Sequence, residues 1–302
     1  MLSLAWKAAR ALWPRIKLLP LRAAVAQWRR EGRRVGLVPT MGALHEGHLS
    51  LVRTAKERCD RIVASLFVNP KQFAPHEDFD RYPRNEAGDA SLLASAGCDL
   101  LFAPPGAVMY PDGHATNVIV TSVSTPLEGE MRPHFFGGVA TVVTKLLLQC
   151  LPDAAFFGEK DYQQLQVIKQ LARDLDIPVE IVAGPTVREA SGLAMSTRNK
   201  YLSEAARETA LRIPSAIAAG QSVSERGADA VVNVARSILE APADVEVDVQ
   251  YVVVTDPLMG PAPAAGGSRR PAWRVASSSA RRHPRARRAA AHRSSLRNPS
   301  PS

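Results

Sequence analysis

The sequence predicts an α/β fold: a Rossmann-like, doubly wound parallel sheet, followed by a smaller C-terminal α+β domain and a disordered basic tail. Short apolar runs alternate with amphipathic helical segments, which is typical of a parallel sheet with helices on both faces. Glycine-rich and polar motifs directly follow several of these apolar runs. Near residue 261 the composition changes to Ala, Arg, Pro, Ser, Gly and His. We therefore expect domains over residues 1–185, 186–260 and 261–302.

Five apolar runs predict the strands of the sheet, and they cover residues 35–39, 62–68, 99–104, 154–157 and 179–183. Four helical segments separate several of them and cover residues 48–59, 86–96, 138–150 and 162–174. The carboxyl ends of parallel strands meet at one edge of a sheet, where ligands bind. We therefore expect the motifs VPTMGALHEGH, FVNPKQF and FFGEKD to converge there, since each follows a strand.

The C-terminal part of the chain has a different pattern. A polar, loop-like stretch begins near residue 186, and helical segments follow around 204–219 and 228–239. Residues 245–256 alternate and are rich in valine, which predicts a strand. The Arg/Ala/Pro/Ser tract after residue 261 has few apolar anchors, so we expect it to be disordered.

Composition limits the class of protein. The 302 residues suffice for about two domains, with 46% hydrophobic and 22% charged residues. The three cysteines, Cys59, Cys98 and Cys150, form no CxxC pair, which argues against a disulfide framework or a zinc ribbon. No apolar run is long enough to cross a membrane. We expect a cytoplasmic protein without a membrane partner.

Positive charge is concentrated at the two ends of the chain. Ten arginines and no acidic residue lie in 268–302, and the whole chain has a net charge of +9. The rest of the chain therefore has a net charge of −1. A nucleic-acid partner is therefore not expected of the main body. The first acidic residue is Glu31, and residues 6–17 fit a basic amphipathic helix. A transit peptide and an ordinary leading helix both remain open, and we favour the helix.

The most informative stretch is VPTMGALHEGH, residues 38–48, which joins the first strand to a helix. The start of a helix presents unpaired N–H groups and the positive end of a dipole, so it attracts an anion. Gly42 and Gly47 allow close approach of a ligand. His45 and His48 add donors whose charge changes near neutral pH. Simple capping by the histidines is the alternative, and a zinc site is disfavoured because the HExxH spacing is missing.

Further polar segments follow other strands. Asn69 and Gln72 follow the second strand, Lys160 follows the fourth, and Ser196, Thr197 and Arg198 lie in MSTRN. Together and in this order, FVNPKQF, FGEKDYQQL and MSTRN resemble the pantothenate synthetase (pantoate–β-alanine ligase) family, over residues 21–256. HxGH alone indicates only the wider adenylyl-transferring superfamily.

The resemblance implies a two-step ligation. Pantoate attacks the α-phosphorus of ATP to give pantoyl adenylate and pyrophosphate, and the amine of β-alanine then displaces AMP. Such chemistry depends on positioning and charge neutralisation. The resemblance also implies Mg²⁺, brought with ATP, and a homodimer formed through the large domain.

The family's functional residues fall on matching positions. His48, treated as the proton donor, His45 and Lys160 would be catalytic. The ATP site would comprise Met41, Gly42, Ala43, Leu44, His45, Glu46, Gly47, His48, Gly158, Glu159, Lys160, Asp161, Val187, Met195, Ser196, Thr197 and Arg198. Pantoate and β-alanine would meet Gln72, Gln164, Asn69 and Arg132, and Mg²⁺ would meet Asp89 or Asp161.

The chain departs from the family pattern at two places. The family's RPxHFxGV reads RPHFFGGV here, with Phe135 at the usual histidine position. The basic tract replaces the family's final strands, and either a frameshift near residues 263–270 or a genuine basic arm explains it. We favour the frameshift and expect low stability or weak activity. Two alternative functions follow: adenylyl transfer to another acid, or a weakened enzyme whose tail binds nucleic acid.

Overall fold

Five parallel strands form the sheet at the centre of the chain's first unit in the computed structural model, which describes residues 18–262 except residue 246. The strands are β1 (Val35–Thr40), β2 (Arg61–Leu66), β3 (Leu100–Phe102), β4 (Ala154–Gly158) and β5 (Glu180–Gly184). They follow the order β3-β2-β1-β4-β5, and every neighbouring pair is parallel. All five predicted strands are confirmed, and so is the doubly wound parallel sheet.

Helices cover both faces of this sheet. They are α1 (Leu18–Arg30), α2 (Glu46–Arg58), α3 (Glu86–Ala96), α4 (Gly106–Met109), α5 (Glu128–Met131), α6 (Phe135–Cys150) and α7 (Tyr162–Asp174). Short 3₁₀ turns occupy Pro70–Gln72, Glu159–Asp161 and Thr197–Tyr201. The four predicted helices are present as α2, α3, α6 and α7. None of the helices in the described residues is both long and apolar enough to cross a membrane.

Each face of the sheet has its own apolar core. One face packs against α1, α6 and α7 and buries residues such as Leu37 and Phe157. The other face packs against α2 and α3 and buries Val38 and Phe156. Full burial of such side chains contributes about 1.5–3 kcal/mol each, so this sandwich is the main source of the unit's stability.

The strand order places a reversal point beside β1. From β1 the chain moves outward to β2 and β3, and β4 and β5 then lie on the other side of β1. At such a point the loops that leave neighbouring strands diverge and open a crevice at the carboxyl edge. The loops after Thr40 and Gly158 leave adjacent strands at this edge.

The described residues divide into two compact units after Lys200: residues 18–200 with 258–260, and residues 201–257 with 261–262. The boundary predicted after residue 185 differs, because residues 186–200 bond to the first unit. Thr197 Oγ1 donates to Ala43 O at 3.1 Å, and Arg198 pairs with Asp78. The basic leading segment before residue 18 and the tail from residue 263 lie outside the described residues.

The second unit contains α8 (Glu204–Ala210), α9 (Arg212–Ser222), a 3₁₀ turn (Ser224–Arg226) and α10 (Ala228–Leu239). Its small core includes Ala216, Ala235, Leu239 and Val252. The strand predicted over 245–256 is wrong for the residues described. Burial alternates at Val252 and Val254, but the only bridge there joins Thr255 to Pro261. The alternation is real, yet within the described residues no neighbouring strand supplies a ladder.

Candidate active site

The loop between β1 and α2 is held by a buried carboxylate. The backbone N–H groups of Ala43 and Leu44 donate to the two oxygens of Asp89, each at 2.8 Å, and Asp89 is 3% exposed. Gly42 and Ala43 both have positive φ, 86° and 51°. A Cβ on Gly42 would lie 3.0 Å from the Asp89 carboxylate, so glycine is required for this close approach. Asp89 therefore fixes the loop that precedes the two histidines.

His45 and His48 form a reciprocal cap at the start of α2. Gly47 N donates to His45 Nδ1 at 3.2 Å, and His45 N donates to His48 Nδ1 at 3.3 Å. The rings lie 4.1 Å apart, tilted by 35°. A ring nitrogen that accepts a backbone N–H carries no proton, so each neutral ring is protonated on Nε2. The capping alternative and the ligand-binding prediction are thus compatible, since Nδ1 serves the cap and Nε2–H remains.

Both histidines are neutral near pH 7. Burial lowers the pKa of His48 to about 3, with further lowering by His45 and Lys160. Burial and the charges of Lys160 and Lys200 also lower the pKa of His45. For His48 the prediction that its charge changes near neutral pH is therefore wrong, because a cation in this position would be poorly hydrated and next to other positive groups. The pair can donate hydrogen bonds to an anion.

Gln72 lies on the 3₁₀ turn after β2, and its amide is oriented by Asn69. Asn69 Nδ2 donates to Gly138 O at 3.0 Å and to Gln72 Oε1 at 3.1 Å. Asn69 Oδ1 accepts from Tyr110 Oη at 2.7 Å and from Lys71 N at 3.3 Å. The backbone partners fix which end of Asn69 is the donor, so the Gln72 NH₂ group faces away and approaches Met41 Sδ at 3.1 Å. Asn69, 1% exposed and with both donors used, positions Gln72, a different role from the predicted substrate contact.

Arg132 is also engaged within the protein. Its guanidinium donates to both carboxylate oxygens of Glu77, at 2.8 and 2.6 Å, and to Glu128 at 3.1 Å. It donates to Gln72 O at 3.1 Å and lies 4.1 Å from the centre of the Phe135 ring. These contacts occupy the side chain, so we replace the predicted substrate contact by a supporting role. Phe135, at the family's histidine position, provides the stacking surface.

The turn after β4 places charge beside the histidines. Lys160 Nζ donates to Asp161 Oδ1 at 3.0 Å. The hydration that Asp161 loses in part would raise its pKa, but the Lys160 ammonium, together with Arg198 and His48, holds the pKa below its usual value. Glu159 and Gly158 belong to the same turn. On the first turn of α7, Gln164 is partly buried and makes no side-chain hydrogen bond within the described residues.

Residues 187–198 fold against the loop of the histidines. Met195 N donates to Val187 O at 3.0 Å, and Ser196 Oγ accepts from Arg198 N at 3.3 Å. The Thr197 hydroxyl donates a hydrogen bond to Ala43 O, and this bond holds the segment against the loop between β1 and α2. A Cβ on Gly47 would lie 3.8 Å from the Met195 side chain. Arg198 forms a two-point ion pair with Asp78, at 2.9 and 3.0 Å.

The predicted residues thus gather from four segments. Met41 contacts Gln72, Gly47 approaches Met195, and Lys160 acts electrostatically on His48. Glu46 points elsewhere and pairs with Arg53. Sequence reasoning missed Asp78, Glu77 and Tyr110, although the first two follow the FVNPKQF motif within a few residues. The available signal was that two arginines of the site needed acidic partners.

The contacts bear on which metal ions these residues could hold. The Nδ1 atoms of His45 and His48 both accept backbone N–H groups, so neither Nδ1 is free to bind zinc. For Mg²⁺, Asp89 is a poor fit, since its buried oxygens already accept two backbone bonds. Asp161 fits better: its side chain is 59% exposed, and one carboxylate suffices when phosphates supply other ligands.

The sequence is similar to proteins of one family. The family model described as Pantoate-beta-alanine ligase matches residues 17–277. The pantothenate synthetase of Caulobacter vibrioides is 59% identical over 207 residues, covering 68% of this chain and 73% of that protein. The pantothenate synthetase of Paramagnetospirillum magneticum is 57% identical over 239 residues, covering 78% and 83%.

Solved structures agree with this similarity. Pantothenate synthetase from Thermus thermophilus superposes with a TM-score of 0.73 and 43% identity, covering 85% of this chain and 87% of that one. Pantoate-beta-alanine ligase from Francisella tularensis, complexed with beta-gamma ATP and beta-alanine, gives a TM-score of 0.68 and 36% identity, covering 78% and 87%.

Proposed function

Because the chain belongs to the pantoate–β-alanine ligase family, we propose that its site joins the two substrates through an enzyme-bound pantoyl adenylate. The chain is an ATP-dependent ligase that condenses pantoate with β-alanine. One observation carries the residue-level proposal: His45 and His48 are capped through Nδ1, so two Nε2–H donors stand at a helix start near Lys160. This is an arrangement for an anion with several oxygens.

In the first step, a pantoate carboxylate oxygen attacks the α-phosphorus of ATP. The new O–P bond forms as the bond from that phosphorus to the bridging oxygen breaks, and pyrophosphate leaves. His45 and His48 donate hydrogen bonds to the phosphate oxygens, and Lys160 supplies a fixed positive charge. The family's proton donor, His48, acts here in its neutral form, as a hydrogen-bond donor. Such preorganised donors stabilise the charge of the transition state.

Two amides hold pantoate beside the nucleotide. Asn69 directs the NH₂ group of Gln72 towards Met41, and that group suits a carboxylate or hydroxyl oxygen. Gln164 has no side-chain hydrogen bond within the described residues, so its amide is available for a second contact. Placing the carboxylate in line with the α-phosphorus supplies much of the rate by removing orientational freedom.

In the second step, the neutral amine of β-alanine attacks the acyl carbon of the adenylate. The C–N bond forms, the acyl C–O bond to AMP breaks, and the amine loses one proton. Gln72 lies near both substrates in this proposal. Mg²⁺ would bind with ATP and neutralise phosphate charge, with Asp161 the carboxylate best placed to hold it.

Assembly and location belong to the same proposal. We place the enzyme in the cytoplasm, and its three cysteines, all free and buried, suit a reducing compartment. We propose a homodimer through the first unit, on the resemblance to the family alone. Adenylyl transfer to another acid remains the second candidate, and the Gln72 and Gln164 pair argues for pantoate.

The test uses pantoate labelled with oxygen-18 in its carboxylate. Pantoate alone should support exchange of labelled pyrophosphate into ATP, and AMP should form only after β-alanine is added. One labelled oxygen should appear in AMP, because the attacking oxygen stays on phosphorus when the acyl C–O bond breaks. Label found in pyrophosphate, or exchange that needs β-alanine, would contradict the adenylate. Exchange with other hydroxy acids but none with pantoate would favour the second candidate.

A further inference from the structure

Asp78 forms a bidentate ion pair with one edge of the Arg198 guanidinium. Asp78 Oδ2 accepts from Nε at 3.0 Å, and Oδ1 accepts from Nη2 at 2.9 Å. The two residues lie 120 positions apart, so the pair joins the segment after Gln72 to the segment that contains Ser196. A bidentate pair of this kind fixes direction as well as distance.

Two aromatic rings restrain the same guanidinium. Its carbon lies 5.8 Å from the centre of the Phe73 ring and 5.6 Å from that of Tyr82. Both rings are buried, and they meet edge to face at 5.9 Å. Arginine favours such stacking because its charge is spread over a plane. The two rings therefore restrain the plane of the Arg198 guanidinium, and Asp78 restrains the direction of one of its edges.

Asp78 has its own support within the chain. Arg84 donates to three carbonyl oxygens of the same segment, those of Phe79, Asp80 and Tyr82, at 2.9 to 3.2 Å. Phe79 also packs edge to face on Phe73, at 5.4 Å. These contacts hold the turn around Asp78 without help from Arg198. The position of the Asp78 carboxylate is thus fixed by its own segment, and the Asp78 carboxylate in turn orients the longer Arg198 side chain.

Among the residues that the structure describes, none accepts a side-chain hydrogen bond from the other edge of Arg198. A guanidinium has five N–H donors, and the pair with Asp78 uses two of them. The Arg198 side chain is 46% exposed, and its charge acts on Asp161 beside Lys160. The remaining donors therefore lie in the same electrostatic neighbourhood as the turn after β4.

We propose that Asp78 is a positioning residue, which orients Arg198 so that its open edge meets the phosphates of ATP during adenylation. The inference rests on the proposed function, because only there does Arg198 bind ATP. Asp78 touches no substrate and acts through Arg198. A competing role, in which Asp78 blocks Arg198 until ATP displaces it, makes the opposite kinetic prediction.

The test is pantoate-dependent exchange of pyrophosphate into ATP by the full-length chain. Asp78→Ala should raise KM for ATP on the order of tenfold and leave KM for pantoate nearly unchanged, because only the phosphate contact is lost. Arg198→Ala should raise it at least as much. The double variant should match Arg198→Ala alone, and Asp78→Glu should recover part of the loss. Asp80→Ala removes an exposed carboxylate of the same segment and should behave as wild type.

Each other outcome has a distinct meaning. A lower KM for ATP in Asp78→Ala would overturn the inference in favour of the competing role. An unchanged KM for ATP with a lower melting temperature would reduce Asp78 to a structural residue. If Arg198→Ala left KM for ATP unchanged, the inference would fall while the ligase function stood. Absence of exchange in the folded wild-type chain would instead defeat the proposed function.

Discussion

His45 and His48 show how local backbone contacts decide chemistry at the scale of single residues. Each Nδ1 accepts a backbone N–H, so each ring offers only Nε2–H to a ligand. Protonating His48 at Nδ1 would break the hydrogen bond from His45 N and place a cation beside His45 and Lys160. This agrees with the His48 pKa of about 3. The cap and the lowered pKa values thus leave both rings able to donate a hydrogen bond from Nε2 near pH 7.

A pH-dependent stability follows from the His48 pKa. The unfolded chain binds a proton at His48 below about pH 6.5, whereas the folded chain does not until about pH 3. Acid therefore favours unfolding between these values, by at most about 1.4 kcal/mol per pH unit from this group. Urea midpoints between about pH 6.5 and 4.5 should fall more steeply for wild type than for His48→Asn, which keeps an acceptor near Nδ1. Equal slopes would contradict the buried neutral histidine.

At the scale of elements, a helix anchors the loop that carries the histidines. Asp89 on α3 accepts from Ala43 and Leu44 in the loop between β1 and α2. The contact ties the loop between β1 and α2 to the neighbouring layer of the fold. A residue predicted as a metal ligand thus acts through the backbone of the loop.

Asp89→Asn should weaken ATP binding without changing the dependence on Mg²⁺. An amide oxygen replaces only one of the two acceptors, and its NH₂ group opposes the other backbone N–H. We expect KM for ATP to rise on the order of tenfold, as for loss of a charged, buried hydrogen bond. Asp161→Asn is the matched comparison and should shift the Mg²⁺ concentration needed for half-maximal exchange. A shift of that concentration in Asp89→Asn would restore the metal role.

Helix α6 packs closely against the 3₁₀ turn Pro70–Gln72 at a glycine. A Cβ on Gly138 would lie 2.3 Å from Lys71 O, whereas a Cβ on Gly137 would meet nothing within 4 Å. Gly138→Ala should therefore cost roughly 1–3 kcal/mol of unfolding free energy and displace Gln72. Gly137→Ala, its neighbour in the same helix, should be neutral or stabilising by up to about 1 kcal/mol. Urea unfolding of the two variants checks this, and equal destabilisation would refute the close approach.

The elements were predictable where burial alone decides them. The run VGLVP became β1 because buried parallel strands are apolar along their whole length. Residues 245–256 showed the alternation of a strand and do bury Val252 and Val254, but a ladder also needs a partner strand. That requirement is non-local, so a single segment cannot reveal whether it is met.

Side-chain partners were harder to predict than the site residues themselves. Arg198 was identified from MSTRN, but its partner Asp78 lies in a distant segment with no local pattern to link them. The same is true of Arg132 and Glu77. Motifs report which residue types a ligand needs, while pairings depend on how loops meet in space. The sequence therefore proposes the site residues, whereas the contacts that support them are visible only in the structure.

At the scale of the whole molecule, the excess positive charge and the proposed site residues lie in different parts of the chain. The proposed site residues and the partners described for them fall between residues 41 and 200, in the first unit. Ten arginines and no acidic residue lie in 268–302, which leaves a net charge of −1 for the remainder. The positive balance of the chain is therefore a property of its last segment and says little about the site.

Replacing the ten arginines of residues 268–302 with glutamine should separate these two properties. The full-length variant should keep wild-type pyrophosphate exchange, because no described site contact involves that segment. Any affinity of the wild type for RNA should fall steeply with salt and be lost in the variant, since phosphate binding by arginine releases counterions. Exchange rates and RNA binding at several salt concentrations provide the measurements. Loss of exchange in a folded variant would show that the basic segment supports the ligase, and RNA binding that survives the replacement would locate the nucleic-acid surface elsewhere.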